Sequence, residues 1–145
     1  MNNFIYEQVK NFKRKYHMSI AWRLKKNSRI VEKHLNSDET VLYVFTAQKN
    51  DKWYDVFSTA VLVMTDKRLL IGRKRLSFGY FFDAITPDMF NDMNVYAGLI
   101  WGKINIDTIK EVVVLTNIDK KALPEIETNV TSYMMKAKEK YKTNM

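Results

Sequence analysis

The 145-residue chain has no cysteine, which removes disulfide scaffolds, thiolate metal sites and thiol nucleophiles together. Only two histidines are present, leaving little for transition-metal ligation. Four glycines and two prolines, in a chain 46% apolar and 13% aromatic, argue against disorder and low complexity. No self-similar period is visible, and the length suits one domain with a real core. Apolar runs such as Thr59–Met64 are far too short to span a bilayer, and the start Met1–Glu7 lacks the basic and apolar regions of a signal peptide. These absences lead to the expectation of a soluble, unprocessed, cytoplasmic protein.

What is present is positive charge, placed in segments. The net charge is +8. Residues 1–35 carry Lys10, Lys13, Arg14, Lys15, Arg23, Lys25, Lys26, Arg29 and Lys33 against Glu7 and Glu32. Residues 67–76 carry Lys67, Arg68, Arg73, Lys74 and Arg75 with no acid, whereas residues 77–135 are net acidic. Such segregation permits a surface that attracts phosphates or acidic partners; solvated helix faces and a basic hairpin are the plainer reading.

Helical periodicity opens the chain. Phe4, Ile5, Val9, Phe12 and Tyr16 form one stripe, and Ile20, Leu24, Val31 and Leu35 a second, interrupted at Asn27-Ser28. Two helices, or one kinked near His17–Ser19, are expected, ending at Asn36-Ser37-Asp38. Composition then turns β-branched and aromatic. Strands are expected at 40–46, 56–64 and 68–73, the last two forming a hairpin through Thr65-Asp66-Lys67. A further strand is expected at 77–82, then a long connection over 83–95, then strands at 95–101 and 109–115, with Gly98 and Gly102 at bends or bulges. Pro124 fits the first turn of a final helix, in which Ile126, Val130, Met134, Ala137 and Tyr141 repeat on one face. The pattern is α+β: a curled antiparallel sheet or partly open barrel closed by a helix.

Three pieces of sequence resemble the bacterial pleckstrin-homology-like domains, in particular the YokE-like group associated with phages and mobile elements. They are Ile30–Leu35 with Asp38-Glu39, the hairpin Val61–Ile71 with its Thr65-Asp66-Lys67-Arg68-Leu69 turn, and Ile104–Ile109 leading to the terminal helix. The resemblance implies a strongly bent sheet of about seven strands capped by the C-terminal helix, and no enzymatic activity. It divides the chain into an N-terminal helical segment, 1–36, and a PH-like domain, 37–145, with the helices a separable arm. Eukaryotic relatives bind phosphoinositides through cations on strand one, the following loop and strand two. Here Lys49 and Lys52 stand among Asp51 and Asp55, which argues against that use.

Site chemistry is sparse. Asp83, Asp88, Asp92 and Asp107 lack calcium-loop spacing. His17 and His34, with Ser19 and Ser37, have no nucleophile elbow or ordered acid. No glycine opens a helix as a phosphate loop. No catalytic, cofactor or metal residue is therefore expected. The candidate partner-binding residues are Lys67, Arg68, Arg73, Lys74, Arg75, Lys25, Lys26 and Arg29. With Trp22, Trp53, Tyr54 and Trp101 they could form a basic and aromatic surface. The expected function is non-catalytic docking on a protein, as adaptor, inhibitor or homo-oligomer, with an anionic membrane or nucleic acid as the alternative.

Overall fold

The computed structural model describes residues 4–50, 58–76 and 78–143, with side chains as far as Lys140. Helices α1 (Phe4–Lys15) and α2 (Leu24–His34) precede seven strands: β1 (Val41–Gln48), β2 (Thr59–Thr65), β3 (Leu69–Lys74), β4 (Tyr80–Ile85), β5 (Phe90–Ala97), β6 (Gly102–Thr108) and β7 (Val112–Ile118). A short 3-10 turn, Lys120–Ala122, leads into α3 (Leu123–Thr143). The strand order is β4-β3-β2-β1-β7-β6-β5, with antiparallel ladders. The expected seven-stranded, helix-capped architecture is thus observed. β1 and β7 pair only at Gln48 and Thr116, so the sheet bends there into two halves.

Between the halves lies the main core. Phe45, Leu62, Met64, Leu69, Ile71, Ile104, Ile106 and Leu115 meet the α3 stripe Ile126, Val130 and Met134. Every strand also has a second face, and β2 buries both. Val44, Val61, Val63 and Leu70, the alternate residues of β1, β2 and β3, pack under Ile5, Val9 and Val31 of the N-terminal helices. The continuous apolar run of β2 follows from this double cover. At about 1.5–3 kcal/mol per fully buried aliphatic side chain, this second layer is a major stabilising element.

Helix α1 also reaches from β1 to α3. Its Phe12 ring lies 6.2 Å from Phe45 and 6.5 Å, edge-on, from Tyr43. Lys15 pairs with Glu125 of α3 at 2.6 Å, and Tyr43 Oη donates to the other Glu125 oxygen at 2.8 Å. Burial raises the Glu125 pKa, but hydrogen bonds from Lys15, Tyr43 and Tyr16 outweigh it and hold the carboxyl low.

Helix α2 sits directly on β3 because Gly72 has no side chain. A Cβ there would come 2.7 Å from Val31 Cγ2 and 3.0 Å from the Asn27 carbonyl oxygen. Asn27, which interrupts the apolar stripe in sequence, is buried and ties helix to sheet. Its Oδ1 accepts from Lys74 N at 2.7 Å and its Nδ2 donates to Thr59 O at 3.0 Å.

Several sequence expectations are corrected. The long connection at 83–95 does not exist: β4 continues to Ile85, Thr86–Met89 turns, and β5 starts at Phe90. A register shift between Phe90 and Asp92 breaks the alternation that would have marked β5. The strand expected at 95–101 is the end of β5 and a hairpin tip, while Ile109-Lys110 is a turn and β7 begins at Val112. The helical break spans 16–23 and includes Arg23 at φ 57. The start of the expected second strand at Val56 and the polar residues Asp51 and Lys52 lie outside the described residues, as does Ser77.

Candidate functional site

Because the sheet bends sharply at β1 and β7, contacts between the connections, not strand direction, define two regions, a turn end and a tip end. At the turn end are the β2–β3, β4–β5 and β6–β7 turns. At the tip end are the β3–β4 and β5–β6 hairpin tips, the end of β7 and the α1–α2 connection. The connection bridges the two tips. Arg23 Nη1 donates to Arg75 O at 2.9 Å beside one, and Trp101 Nε1 donates to Met18 O at 3.1 Å beside the other. Between them Ile20 N donates to Asn117 O, and Asp119 N to the buried Ser19 Oγ, both at 2.9 Å.

The eight candidate cations are split by this geometry. Lys67 and Arg68 lie at the turn end and are engaged by acids. Arg68 grips Glu39 bidentately at 3.0 and 2.8 Å and donates to His34 O at 2.9 Å. The Glu39 side chain has no exposed surface. Burial pushes its pKa up, but Arg68, the Asn36 amide and the Thr65 hydroxyl hold it below its ordinary value. Lys67 pairs with Asp38, which is held low by that hydrogen bond. A cleft of about 450 Å³ does open here, lined by Asn36, Asp66, Thr86, Pro87, Ala137 and Lys140 as well as this pair. Its cations share it with Asp66, and Arg68 is part of the scaffold.

Lys26, Arg29 and Lys74 are brought together at the other end with a residue the sequence reading missed, Lys33. They line a cleft of about 340 Å³ between α2 and the β3–β4 hairpin, floored by Ile30, Gly79 and Tyr80. Lys33 Nζ stands 5.3 Å from the Tyr80 ring centre, and the Tyr80 hydroxyl and His34 Nε2 are 2.9 Å apart. The spacing Lys26, Arg29, Lys33 could have been found as one helical face. Arg73 and Arg75 sit on the Phe81 ring, 4.4 and 5.5 Å from its centre. Lys25 lies 6.0 Å over Tyr6.

Apolar side chains crown the same end. Leu76 and Phe78 at the β3–β4 tip are 60% and 80% exposed, and Leu99 and Ile100 at the β5–β6 tip 93% and 54%. The only sequence signal was their place beside turn glycines. Trp53 and Tyr54 lie outside the described residues.

The remaining polar candidates do not converge. His34 stacks on Phe82 at 4.0 Å, and Ser19 is committed to Asp119. Asp83 pairs with Lys49 at 2.6 Å, and Asp92 accepts from its neighbour's amide. Among the described residues no group of three or more His, Cys, Asp or Glu is placed to hold a metal, and no helix is long and apolar enough to cross a membrane.

Comparison with known proteins agrees with this architecture. A pleckstrin homology domain from Shewanella amazonensis SB2B superposes with a TM-score of 0.51 at 13% identity, covering 72% of this chain and 95% of the other. A DUF1696 family protein with a pleckstrin-homology domain from Shewanella loihica PV-4 gives 0.51 at 12% identity, covering 75% and 91%. At such identities the likeness concerns the fold. No curated protein matches the chain. The model of the family described as "Bacterial PH domain" matches residues 35–131, about two thirds of the sequence, and the chain belongs to that family.

Proposed function

We propose that this PH-like protein is a non-catalytic docking module whose tip end meets an anionic membrane surface, inside a bacterial or phage-carrying cell. The observation carrying this reading is the coincidence, at one end, of exposed Leu76, Phe78, Leu99 and Ile100 with Lys26, Arg29, Lys33, Arg73, Lys74 and Arg75. Neither feature suffices by itself. An exposed aromatic or leucine inserted at the acyl boundary contributes about 1.5–3 kcal/mol at most. A basic side chain near an anionic leaflet contributes roughly 1 kcal/mol and is screened by salt. Together they give reversible, salt-sensitive attachment.

Sedimentation with phosphatidylcholine vesicles containing phosphatidylserine tests the reading. Wild type is expected to sediment at low salt and release at high salt, and Leu76→Ser with Phe78→Ser to remain in the supernatant. No sedimentation of wild type at low salt overturns it.

A protein partner, a second copy of this chain included, remains the second reading. It is favoured by the outer edge of β5, which ends the sheet beside α3 and suits strand addition. Capture that survives high salt and the tip substitutions would select it, whereas a steep salt dependence with single-stranded nucleic acid would select the third alternative.

A further inference from the structure

We propose that the cleft between α2 and the β3–β4 hairpin is a binding site for a polyvalent phosphate group, assembled by Lys26, Arg29, Lys33 and Lys74. It stands whether or not the neighbouring tips enter a membrane. Its charge, its shape and its rigidity all point the same way.

Charge comes first. Lys26, Arg29 and Lys33 are exposed and recur at i, i+3 and i+7 of one helix, so like charges repel along this face. Lys74 adds a fourth cation from β3, its ammonium donating to Gly79 O at 2.8 Å. Among the described residues no carboxylate lines the cleft. The acid closest in sequence, Glu32, is outside that lining: burial raises its pKa, and its carboxylate takes the Ile5 amide and feels the charge of Arg29. A solvated helix face would gain by interleaving acids, as α1 does with Glu7 and Lys10 at 2.9 Å. Here four cations converge on a concavity whose described lining holds no acid.

Shape comes second. The volume of about 340 Å³ falls at the lower end of small-ligand sites. Gly79 at φ 84 bends the hairpin and leaves the wall without a side chain. Tyr80, oriented by His34, supplies a flat floor with a hydroxyl at its edge. Guanidinium and ammonium groups around such a floor match a ligand with several phosphate oxygens better than a single carboxylate.

Rigidity comes third. The two walls are locked together by Asn27, bonded to both Lys74 N and Thr59 O, and by the close approach of α2 over Gly72. Sites on rigid elements keep their cations in place before the ligand arrives.

Inorganic tripolyphosphate, titrated by calorimetry into the whole protein, tests the site directly, and phosphatidic acid vesicles test whether a lipid headgroup reaches it. Wild type is expected to bind tripolyphosphate saturably. Arg29→Glu with Lys33→Glu is expected to weaken it at least about tenfold while melting like wild type. Lys136→Glu with Lys140→Glu, the same charge change on α3, should alter affinity less than about twofold. Equal losses in the two pairs, or no saturable binding to either probe, overturn the proposal. Tripolyphosphate binding without vesicle binding keeps the cleft, assigns it a free phosphate and removes the membrane reading. Vesicle binding that ignores the cleft pair but is lost with Leu76→Ser and Phe78→Ser keeps the membrane and removes the cleft.

Discussion

Two clusters of cations of similar composition meet opposite fates in this fold. At the turn end Lys67 and Arg68 are neutralised by Asp38 and Glu39, acids 29 residues earlier in the chain. At the tip end Lys26, Arg29, Lys33 and Lys74 face one another across a cleft with no acid among its described lining residues. The first cluster spends its charge on holding the start of β1 to the β2–β3 turn. The second is held in place by groups other than its charges, chiefly Asn27 and Gly72. A basic residue is available to a partner when its position is maintained by something else.

The sharpest way to break this comparison is to remove the scaffold of the second cluster. Deleting residues 1–36 would uncover Val44, Val61, Val63 and Leu70 and remove Phe12 and Tyr16 from the main core. The expected product is insoluble or lacks a cooperative melt, the opposite of the separable arm anticipated from the sequence. A soluble, strand-rich fragment with a sharp transition would restore that view.

Arg68→Ala comes next. It leaves the enclosed Glu39 carboxylate without its charge partner, a change that costs about 3–5 kcal/mol in buried pairs. Thermal melting should show a fall of many degrees, and a shift of only a degree or two would place Arg68 back among the free cations. Acid should act on the same pair. The Glu39 pKa is lowered in the folded protein, so its stabilisation is full above the unfolded value near 4.5 and disappears as pH falls through the lower folded value. Stability measured by denaturant should therefore decline below about pH 4.5, with a shallower decline in Glu39→Gln relative to its own neutral value.

Lys67→Ala removes an exposed, solvent-screened pair and should lower the melting temperature only slightly. Smallest of all, Lys26→Ala and Arg29→Ala should leave the melting temperature within experimental scatter. A clear loss of stability in either would mean that the tip-end cluster is structural too.

The sequence carried the architecture well because its strongest signals were periodic. The α3 stripe Ile126, Val130, Met134 and Ala137 is buried as spaced, and the unbroken apolar run of β2 has cover on both sides. It failed at β5, where a register shift hides the alternation, and where Asn91, Asp92 and Asn94 read as loop but lie on an exposed strand face. The candidate site was legible in kind and not in grouping. Charge counts marked both clusters, but only the folded chain brings Asp38 and Glu39 to one and withholds acids from the other. Asn27 was read as an interruption because its partners, Thr59 and Lys74, lie 32 and 47 residues away.

The reach of α1 to α3 also has a consequence in time. Helix α1 and the connection after it leave the ribosome before any of the seven strands, yet two of their partners come late: Lys15 waits for Glu125, 110 residues on, and Met18 for Asp119, 101 residues on. Until β7 and α3 emerge, the apolar face of α1 has only β1, β2 and β3 to lie on, a half-finished shell with its interior open. Closing so long a loop is slow, and the exposed strands are prone to wrong pairing meanwhile. Residues made before the sheet would then be the ones that finish it, locking the two halves together as α3 arrives.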